Sequence, residues 1–341
     1  MKTVDAVPFG DRMVGREFPV LIIAEIGINH EGDVDACARM ITAAARAGAD
    51  AVKLQTSDAD EAYHPDSPSY AVFKSAALTR DETAKMFDLA RELGIEIFST
   101  AGDMESFDFI ENLTPAAHKI SSGLMANTPM LRRAAKTDRS ILMSTGIGMS
   151  DEIRESIECL RSAGNSRLVL LQCTSLYPAP DNTLNLSAIR ALEETYGVIG
   201  GFSDHSIGIF ASALSVGAGA SVIEKHFSLE THREGFDHKI SVDPKGLESM
   251  VREVRMAESM MGDPNRPFSA GQQNNRDWMQ RFIVAGRALR KGETLSEENL
   301  RIMRLRPGAV GLAPKHFDAL VDRQVIRDLP KFAPLRYEDI Q

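Results

Sequence analysis

Cysteines and long apolar runs are scarce in this sequence, and basic residues are outnumbered by acidic ones. Only three cysteines (Cys37, Cys159 and Cys173) occur in 341 residues, and their spacing matches no zinc-binding motif. A sparse, odd set argues against a disulfide framework and predicts reduced, buried thiols. No run approaches the ~18 apolar residues that a membrane-spanning helix needs, so we expect no transmembrane segment and no membrane partner.

The N-terminal residues and the net charge argue against two further classes of protein. Residues 1–15 (MKTVDAVPFGDRMVG) lack the apolar stretch and cleavage site of a secretory signal, which predicts a cytoplasmic protein. A formal charge of −9 argues against nonspecific nucleic-acid binding, because such binding depends on basic patches that neutralise phosphates. A small anionic ligand would need lysines or arginines placed within the fold.

Short β-branched runs alternate with longer segments of helical period from residue 20 to about residue 262, as in parallel β/α units. Eight strands in about 240 residues match the usual size of a (β/α)8 barrel, or TIM barrel. An open doubly wound sheet is the main alternative, but it normally has a glycine-rich phosphate loop after its first strand, which Ala24–His30 is not. The predicted strands are Val20–Ala24, Ala51–Leu54, Ile95–Phe98, His118–Ile120, Ile141–Met143, Leu168–Leu171, Val198–Gly201 and Val222–Glu224.

Local signals mark the ends of the intervening helices. Thr79 and Glu82 have capping-box spacing, and the two carboxylates after Ser150 suit the first turn of a helix. Gly48, Gly94 and Gly164 fall where a residue in the left-handed conformation ends a helix.

The pattern changes after Met261, which predicts two domains. Residues 1–262 are interpreted as the catalytic barrel, and residues 263–281, rich in Gly, Pro, Asn and Gln, as a linker. Residues 282–341 follow as a small unit of short segments broken by prolines. About 60 residues is near the lower limit for independent stability, so we expect this unit to pack on another surface.

Polar residues end nearly every predicted strand, where (β/α)8 barrels carry their active sites. Buried amines and carboxylates are costly to desolvate unless they are paired or used. A set this large is therefore interpreted as functional rather than as packing. Its members are Glu25, Lys53, Gln55, Ser99, Thr100, Lys119, Ser121, Ser122, Ser144, Thr145, Gln172, Thr174, Tyr177, Ser203, Asp204, His205, Lys225 and His226.

His205 and His226 end successive predicted strands and can converge on one metal ion. Neutral imidazole suits Mn, Fe, Co or Zn better than Mg. With two protein ligands, water and substrate oxygens would complete the shell and leave the open positions of a catalytic metal.

Lys53 and Lys119 belong to different strands and reach the same rim of the barrel. With Ser122 and Ser203 they can surround a phosphate with charge-assisted donors, which predicts an anion pocket. Schiff-base chemistry by one of these lysines, as in an aldolase, is the alternative.

Six ordered motifs carry the most specific signal: Ala24-Glu-Ile-Gly-Ile-Asn-His-Glu-Gly32, Lys53-Leu-Gln-Thr56, Lys119-Ile-Ser-Ser-Gly123, Cys173-Thr-Ser-Leu-Tyr-Pro-Ala-Pro180, Gly201-Phe-Ser-Asp-His205 and Glu224-Lys-His-Phe227. Together they resemble the N-acetylneuraminate (sialic acid) synthase family, and the match runs nearly end to end. Residues 282–341 resemble that family's C-terminal antifreeze-like (SAF) domain, through Lys291-Gly-Glu-Thr-Leu and Arg306-Pro-Gly.

The resemblance implies a nonulosonic acid synthase that joins phosphoenolpyruvate to an open-chain N-acylated hexosamine, such as N-acetylmannosamine, and releases phosphate. It implies that His205 and His226 hold Mn²⁺, or else Mg²⁺ or Co²⁺, as a Lewis acid at the sugar aldehyde. Glu25 would handle a proton or orient the acceptor. Phosphoenolpyruvate would be held by Lys53, Gln55, Thr100, Lys119, Ser122 and Ser203.

The resemblance also implies how the acceptor is held. Tyr177 and Asp237 would contact the sugar, and Arg306 would reach the site from the partner subunit of a domain-swapped homodimer. Two positions depart from the family pattern. Leu124 stands where a glutamate usually binds the acceptor, and Ala101-Gly102 stands where Pro-Phe is common. We therefore expect an acceptor with a deoxy or otherwise apolar group near Leu124.

Two alternative functions remain on the sequence alone. A deoxyoctulosonate- or deoxyheptulosonate-phosphate synthase would share the barrel and the phosphoenolpyruvate chemistry but take a phosphorylated sugar, and the C-terminal unit argues against it. A non-catalytic carbohydrate- or ice-binding protein would fit the antifreeze-like domain and the missing acceptor glutamate. The presence of both histidines, both lysines and Glu25 argues against that alternative.

Overall fold

A computed structural model describes residues 4–306 and 308–341 of the protein. The chain divides into two compact units, the first ending at Gly262 and the second beginning at Asp263. Each unit is described by itself.

The first unit begins with a short antiparallel hairpin, β1 (Ala6–Phe9) and β2 (Arg12–Gly15). Eight parallel strands then close into a barrel, with the last strand pairing with the first. This confirms the (β/α)8 prediction. The barrel strands are β3 (Leu21–Gly27), β4 (Ala51–Thr56), β5 (Glu96–Ala101), β6 (His118–Ile120), β7 (Ile141–Ser144), β8 (Leu168–Cys173), β9 (Ile199–Asp204) and β10 (Val222–His226).

Most strands continue past their predicted carboxyl ends. β3 reaches Gly27 rather than Ala24, and β9 reaches Asp204 rather than Gly201. The added residues include the buried polar side chains of Glu25 and Ser203. An apolar pattern ends before such residues, because their place in a strand depends on polar partners from other strands.

In the part of the first unit that the structure describes, ten α-helices accompany the barrel, and the predicted end signals are confirmed. Thr79 and Glu82 form a capping box, and Gly48, Gly94 and Gly164 have φ values of 87°, 69° and 103°. The helices are α1 (Val34–Arg46), α2 (Ala59–Ala62), α3 (Pro68–Ala76), α4 (Arg80–Leu93), α5 (Met104–Asn112), α6 (Thr128–Ala135), α7 (Ser150–Ser162), α8 (Ala188–Tyr196), α9 (Phe210–Gly217) and α10 (Pro244–Met261), with 3-10 turns at Ser122–Leu124, Asp181–Thr183 and His238–Ile240.

The N-terminal hairpin, which the sequence pattern did not predict, closes the amino-terminal end of the barrel. Phe9 is fully buried and meets Phe98 of β5 edge-on, with ring centroids 5.2 Å apart. Val7 and Val14 join the same apolar cluster as Leu142 from the barrel interior. The bottom of the barrel is therefore packed solid, and polar side chains collect at the other end.

The second unit contains α11 (Ala270–Met279), the antiparallel pair β11 (Arg281–Ala285) and β12 (Leu300–Arg304), and α12 (Phe317–Leu320), with 3-10 turns at Pro314–His316 and Tyr337–Asp339. Its core includes Ile283, Leu295, Leu320 and Leu335. The segment interpreted as a linker thus contains a helix. None of the residues of this helix is buried, so no apolar periodicity marks it in the sequence. The local signal for the helix is the capping box of Ser269 and Gln272.

None of the helices in the described residues is both long and apolar enough to cross a membrane.

Candidate active site

A cavity of about 680 Å³ opens at the carboxyl ends of the barrel strands. Twelve of the thirteen residues that the sequence singled out for the site line this cavity: Glu25, Lys53, Gln55, Thr100, Lys119, Ser122, Leu124, Tyr177, Ser203, His205, His226 and Asp237. The thirteenth, Arg306, is an exposed residue of the second unit. The structure therefore brings together the residues of seven different barrel strands and their loops.

Strand alternation decides which polar residues enter the cavity. Ser203 and His205 face inward with Asp204 between them facing the helix layer, and Glu224 and His226 likewise flank Lys225. Asp204 and Lys225 form their own buried ion pair, with Nζ and Oδ2 3.2 Å apart. Those two polar residues of the predicted set are consequently structural.

The bottom of the cavity is a buried network of two lysines and two glutamates. Lys53 Nζ lies 2.7 Å from Glu25 Oε2 and 3.7 Å from Glu224 Oε2, and Lys119 Nζ lies 3.3 Å from Glu224 Oε1. Glu25 Oε1 also accepts a hydrogen bond from Gln55 Nε2 (2.8 Å). Two ammonium groups thus face two carboxylates within one low-dielectric pocket.

Glu224 was missed as a site residue by the sequence analysis. Its signal was its position two residues before His226 in a strand, which places both side chains on the same face. The predicted anion pocket contained two lysines without carboxylate partners, whereas in the structure Glu224 pairs with both of them. An anionic substrate must share Lys53 and Lys119 with carboxylates that already neutralise them.

The two carboxylates differ sharply in acidity. Burial raises the pKa of Glu25 to about 7, with repulsion from Glu224 adding to the rise and Lys53 opposing it. Burial acts to raise the pKa of Glu224 too, but attraction by Lys119 and Lys53 outweighs it and brings that pKa down to about 2. Glu25 is therefore poised to exchange a proton near neutral pH, while Glu224 stays ionised.

The lysines differ as well. Burial lowers the pKa of Lys119. Burial also acts to lower the pKa of Lys53, but attraction by Glu224 and Glu25 outweighs it, so that the Lys53 pKa is raised. Lys53 is thus held firmly as a cation, and Lys119 is the more easily deprotonated of the two.

The two imidazoles lie side by side, with ring centroids 5.3 Å apart and planes inclined by 52°. His205 Nδ1 donates to the carbonyl oxygen of Thr174 (2.9 Å), which leaves the Nε2 lone pair free. His226 Nδ1 is buried and has no hydrogen-bond partner within residues 4–306 and 308–341, and its nearest carboxylate oxygen there, Asp237 Oδ2, is 3.7 Å away. Burial lowers the pKa of both histidines, so both rings are neutral at pH 7.

These features fit a metal ion held by two imidazoles. Metal–nitrogen bonds of about 2.1 Å put two imidazole centroids on one ion up to roughly 6 Å apart, and the observed 5.3 Å lies within that limit. Among the described residues, no group of three or more His, Cys, Asp or Glu side chains is placed to hold a metal. A metal here would keep several open positions.

Ser144 contributes a further buried polar atom without a hydrogen-bond partner in the described part of the chain. Ser144 Oγ lines the cavity and has no hydrogen-bond partner among the described residues. Such atoms are rare in folded proteins unless a ligand or water satisfies them. This serine belongs to the polar set that the sequence placed at strand ends.

The outer part of the cavity is apolar and aromatic. Tyr177 stacks on His205 with ring centroids 4.3 Å apart, and Leu124 lines the cavity from a 3-10 turn. Tyr63 and Phe73, stacked 4.8 Å apart, line it from the α2–α3 segment. This pair has no strand-end signal in the sequence, because its segment lies between β4 and α4.

Two glycines allow backbone to approach closely at the rim. A Cβ atom on Gly146 would lie 2.6 Å from Cys173 Sγ, and the Gly146 amide donates to Ser122 Oγ (2.9 Å). A Cβ atom on Gly102 would overlap Ser57 Oγ. The departure at Ala101-Gly102 therefore lets the loop carrying Ser57 line the cavity.

Comparison with known proteins identifies relatives along nearly the whole chain. Residues 40–266 match the model of the NeuB family, and residues 280–341 match that of the SAF domain. The chain is 35% identical to the N,N'-diacetyllegionaminic acid synthase of Legionella pneumophila over 345 residues, which covers 96% of each chain. It is 34% identical to a pseudaminic acid synthase of Campylobacter jejuni, covering 94% of this chain and 97% of that one.

A solved structure agrees with these relatives. The N-acetylneuraminic acid synthetase of Leptospira borgpetersenii, in complex with citrate, superposes with a TM-score of 0.77 at 30% identity. The match covers 82% of this chain and 98% of that one.

Proposed function

This chain belongs to the NeuB family, and on that premise we propose that it condenses phosphoenolpyruvate with an open-chain N-acylated hexosamine to give a nonulosonic acid and phosphate. Its relatives include synthases of legionaminic, pseudaminic and sialic acids. The observation that carries the proposal is one cavity in which a neutral histidine pair stands beside a buried lysine–glutamate network.

The proposed reaction balances with water as the third reactant. C3 of phosphoenolpyruvate forms the new bond to the aldehyde carbon, and the aldehyde oxygen takes a proton to become a hydroxyl. Water adds at C2, and the C–O bond to phosphate then breaks, so that C2 becomes a ketone and phosphate leaves. A side chain with a pKa near 7 can catalyse both proton transfers, the one to the aldehyde oxygen and the one from the attacking water.

His205 and His226 would hold a divalent ion, which we propose to be Mn²⁺, with Mg²⁺ and Co²⁺ as alternatives. Bound there, the ion would supply Lewis acidity to the aldehyde oxygen of the acceptor. The neutral state of both rings supports this assignment, because a protonated imidazole cannot bind a metal.

The polar residues divide between the two substrates. We assign the phosphate and carboxylate of phosphoenolpyruvate to Lys53, Gln55, Thr100, Lys119, Ser122 and Ser203, and we add Ser144 for its unpartnered hydroxyl. Glu25 would carry the proton, since its pKa is raised to about 7 by burial. Tyr177 and Asp237 would contact the acceptor from the outer part of the cavity.

The acceptor would carry an apolar or deoxy group rather than a hydroxyl near Leu124. Leu124 offers no hydrogen bond there, and Phe73 and Ile147 also face the cavity with apolar side chains. A hydroxyl that loses a charge-assisted hydrogen bond pays about 1.5 to 3 kcal/mol, which is a tenfold or greater discrimination. Two of the relatives are named as synthases of N,N'-diacetyllegionaminic acid and pseudaminic acid, which supports an acceptor other than plain N-acetylmannosamine.

We further propose that the protein works as a domain-swapped homodimer in which Arg306 of one subunit completes the site of the other. Exposure of Arg306 on the small C-terminal unit is compatible with that role. Location in the cytoplasm is part of the proposal, because the three cysteines are free thiols, as expected in a reducing compartment.

The test is a product assay on metal-depleted protein. The protein is dialysed against a chelator, titrated with Mn²⁺, and given phosphoenolpyruvate with a panel of N-acylated hexosamines, including 6-deoxy diacetamido sugars. We expect metal-dependent phosphate release and a product whose mass equals both substrates plus water minus phosphoric acid. Turnover with arabinose 5-phosphate or erythrose 4-phosphate instead would establish a sugar-phosphate synthase, and binding of sugars without phosphoenolpyruvate consumption would establish a non-catalytic protein.

A further inference from the structure

The buried side-chain amide of Asn29 links the loop after β10 to the loop after β3 by hydrogen bonds. Asn29 is 4% exposed; its Nδ2 donates to the Phe227 carbonyl oxygen (3.1 Å), and its Oδ1 accepts from the Asp237 amide (3.0 Å). These partners, one acceptor and one donor, fix which way the amide points. The same Nδ2 lies 3.1 Å from Ser241 Oγ, which donates to the Asp237 carbonyl (2.7 Å).

A second group of hydrogen bonds and ion pairs links the same two loops. His238 is 1% exposed, and its Nε2 donates to Glu31 Oε1 (2.9 Å) while its Nδ1 accepts from Ser228 Oγ (2.8 Å). Arg233 pairs with the same Glu31 carboxylate at 2.8 Å. The loop between Ser228 and Ser241 is therefore tied to residues 29–31 at its start, middle and end.

These contacts surround Asp237 without touching the cavity. Asn29, Glu31 and His238 are absent from the cavity lining, whereas the Asp237 side chain belongs to it and lies 3.7 Å from His226 Nδ1. Apart from the 3-10 turn at His238–Ile240, the loop has no helix or strand of its own. Its conformation therefore depends on the side chains that hold it.

We propose that Asn29 and His238 are positioning residues, which hold the Asp237 carboxylate beside His226 and so set the affinity for the acceptor sugar. Side chains in a binding site must stay within about 0.5 Å of their working geometry, and outer contacts supply that order. The kinetic part of this inference rests on the proposed function. The structural part rests on the hydrogen bonds alone.

The structural part is tested by hydrogen–deuterium exchange on Asn29→Ala. The matched control is Asn165→Ala: Asn165 is 5% exposed, donates to the Arg139 carbonyl (2.8 Å) and accepts from the Arg167 amide (2.9 Å) at the opposite end of the barrel. We expect protection of residues 228–241 to fall at least tenfold in Asn29→Ala and to stay unchanged in Asn165→Ala. Unchanged protection in Asn29→Ala overturns the inference, whether or not the wild type is active.

A milder variant covers the case in which Asn29→Ala does not fold. Ser241→Ala removes the hydroxyl that donates to the Asp237 carbonyl and accepts from Asn29 Nδ2, but it keeps the Asn29 hydrogen bonds to Phe227 and to the Asp237 amide. We therefore expect a smaller loss of protection, confined to the same segment. Wild-type protection of residues 228–241 in Ser241→Ala would likewise contradict the proposal that these hydrogen bonds hold the loop.

The kinetic part is tested with a double-mutant cycle. In Asn29→Ala we expect the acceptor KM to rise at least tenfold while the phosphoenolpyruvate KM changes less than twofold. In the Asp237→Ala background, adding Asn29→Ala should lower kcat/KM by less than a further twofold. Adding the control Asn165→Ala to Asp237→Ala should lower kcat/KM by the same factor as it does in the wild type. Equal rises in both KM values, or full additivity with Asp237→Ala, would show a general structural role. If the wild type consumes no phosphoenolpyruvate with any acceptor, the proposed function fails while the exchange data still decide the positioning role.

Discussion

Glu224 and Lys119 form an ion pair inside the barrel, with Oε1 and Nζ 3.3 Å apart and neither side chain more than 5% exposed. Attraction by this carboxylate opposes the burial that lowers the Lys119 pKa. The pair thus determines how much positive charge meets an incoming anion.

Replacing Glu224 with Gln should destabilise the protein, because Lys119 then loses its carboxylate while remaining buried. Breaking one half of a buried pair costs about 3 to 5 kcal/mol. We expect a loss of that size in the free energy of unfolding, measured by urea denaturation at pH 7. Glu193→Gln is the control and should cost under about 1 kcal/mol, because its partner Arg16 is largely exposed.

Combining Glu224→Gln with Lys119→Met should recover most of that stability, since no unpaired ammonium would remain at this position. A Glu224→Gln loss no larger than that of Glu193→Gln would contradict the picture of a counterion for Lys119.

Glu25 should titrate near neutral pH, because burial raises its pKa to about 7. In protein with ¹³C-labelled glutamate carboxyls, we expect one resonance to titrate close to pH 7 and to vanish in Glu25→Gln. Lys53→Met should move that titration to higher pH, since attraction by Lys53 lowers the Glu25 pKa. Lys245→Met, on the outer surface, is the control and should leave the titration in place. A Glu25 carboxyl that titrates near 4.5 would contradict the assignment of the proton to this residue.

His30 should make stability depend on pH. This residue is 3% exposed, and burial lowers its pKa from 6.5 to about 4. Below pH 6.5 the unfolded chain therefore binds a proton that the folded chain excludes, so stability falls as the pH drops from about 6.5 to 4 and this contribution is constant outside that window. The loss from this one group is about 3 kcal/mol.

The measurement is the free energy of unfolding of wild type and His30→Asn between pH 4 and pH 7.5. The difference between the two curves isolates His30 from the other groups that titrate in the same range. His64→Asn, at an exposed position, should follow the wild type. Parallel curves for wild type and His30→Asn would show that folding leaves the His30 pKa unchanged, which would contradict this prediction.

Leu124 should control the choice of acceptor. We expect Leu124→Gln to raise kcat/KM for N-acetylmannosamine relative to a 6-deoxy diacetamido sugar by about tenfold, which is the value of one hydrogen bond of about 1.4 kcal/mol. Leu214→Gln, on the exposed face of α9, is the control and should leave the ratio unchanged. If the wild type already uses both sugars equally and Leu124→Glu slows N-acetylmannosamine turnover, Leu124 does not select the acceptor.

Much of the site was readable from the sequence for two physical reasons. Parallel strands with crossover helices align their carboxyl ends, so Lys53, Lys119 and His205 could be placed in one region without knowing any contact. Side chains alternate along a strand, and the same rule that selects His226 also selects Glu224. Applied to every strand, it would have found Glu224.

The sequence by itself determined the barrel, its helix ends and the polar set at the strand ends, because periodicity, capping and alternation act over a few neighbouring residues. Tertiary structure alone decided that Glu224 pairs with both lysines, that the N-terminal hairpin closes the barrel, and that Asn29 accepts a hydrogen bond from the Asp237 amide. Asn29 and Asp237 are 208 positions apart. Contacts across such distances depend on which loops meet once the barrel has closed, and no local pattern in the chain encodes that meeting.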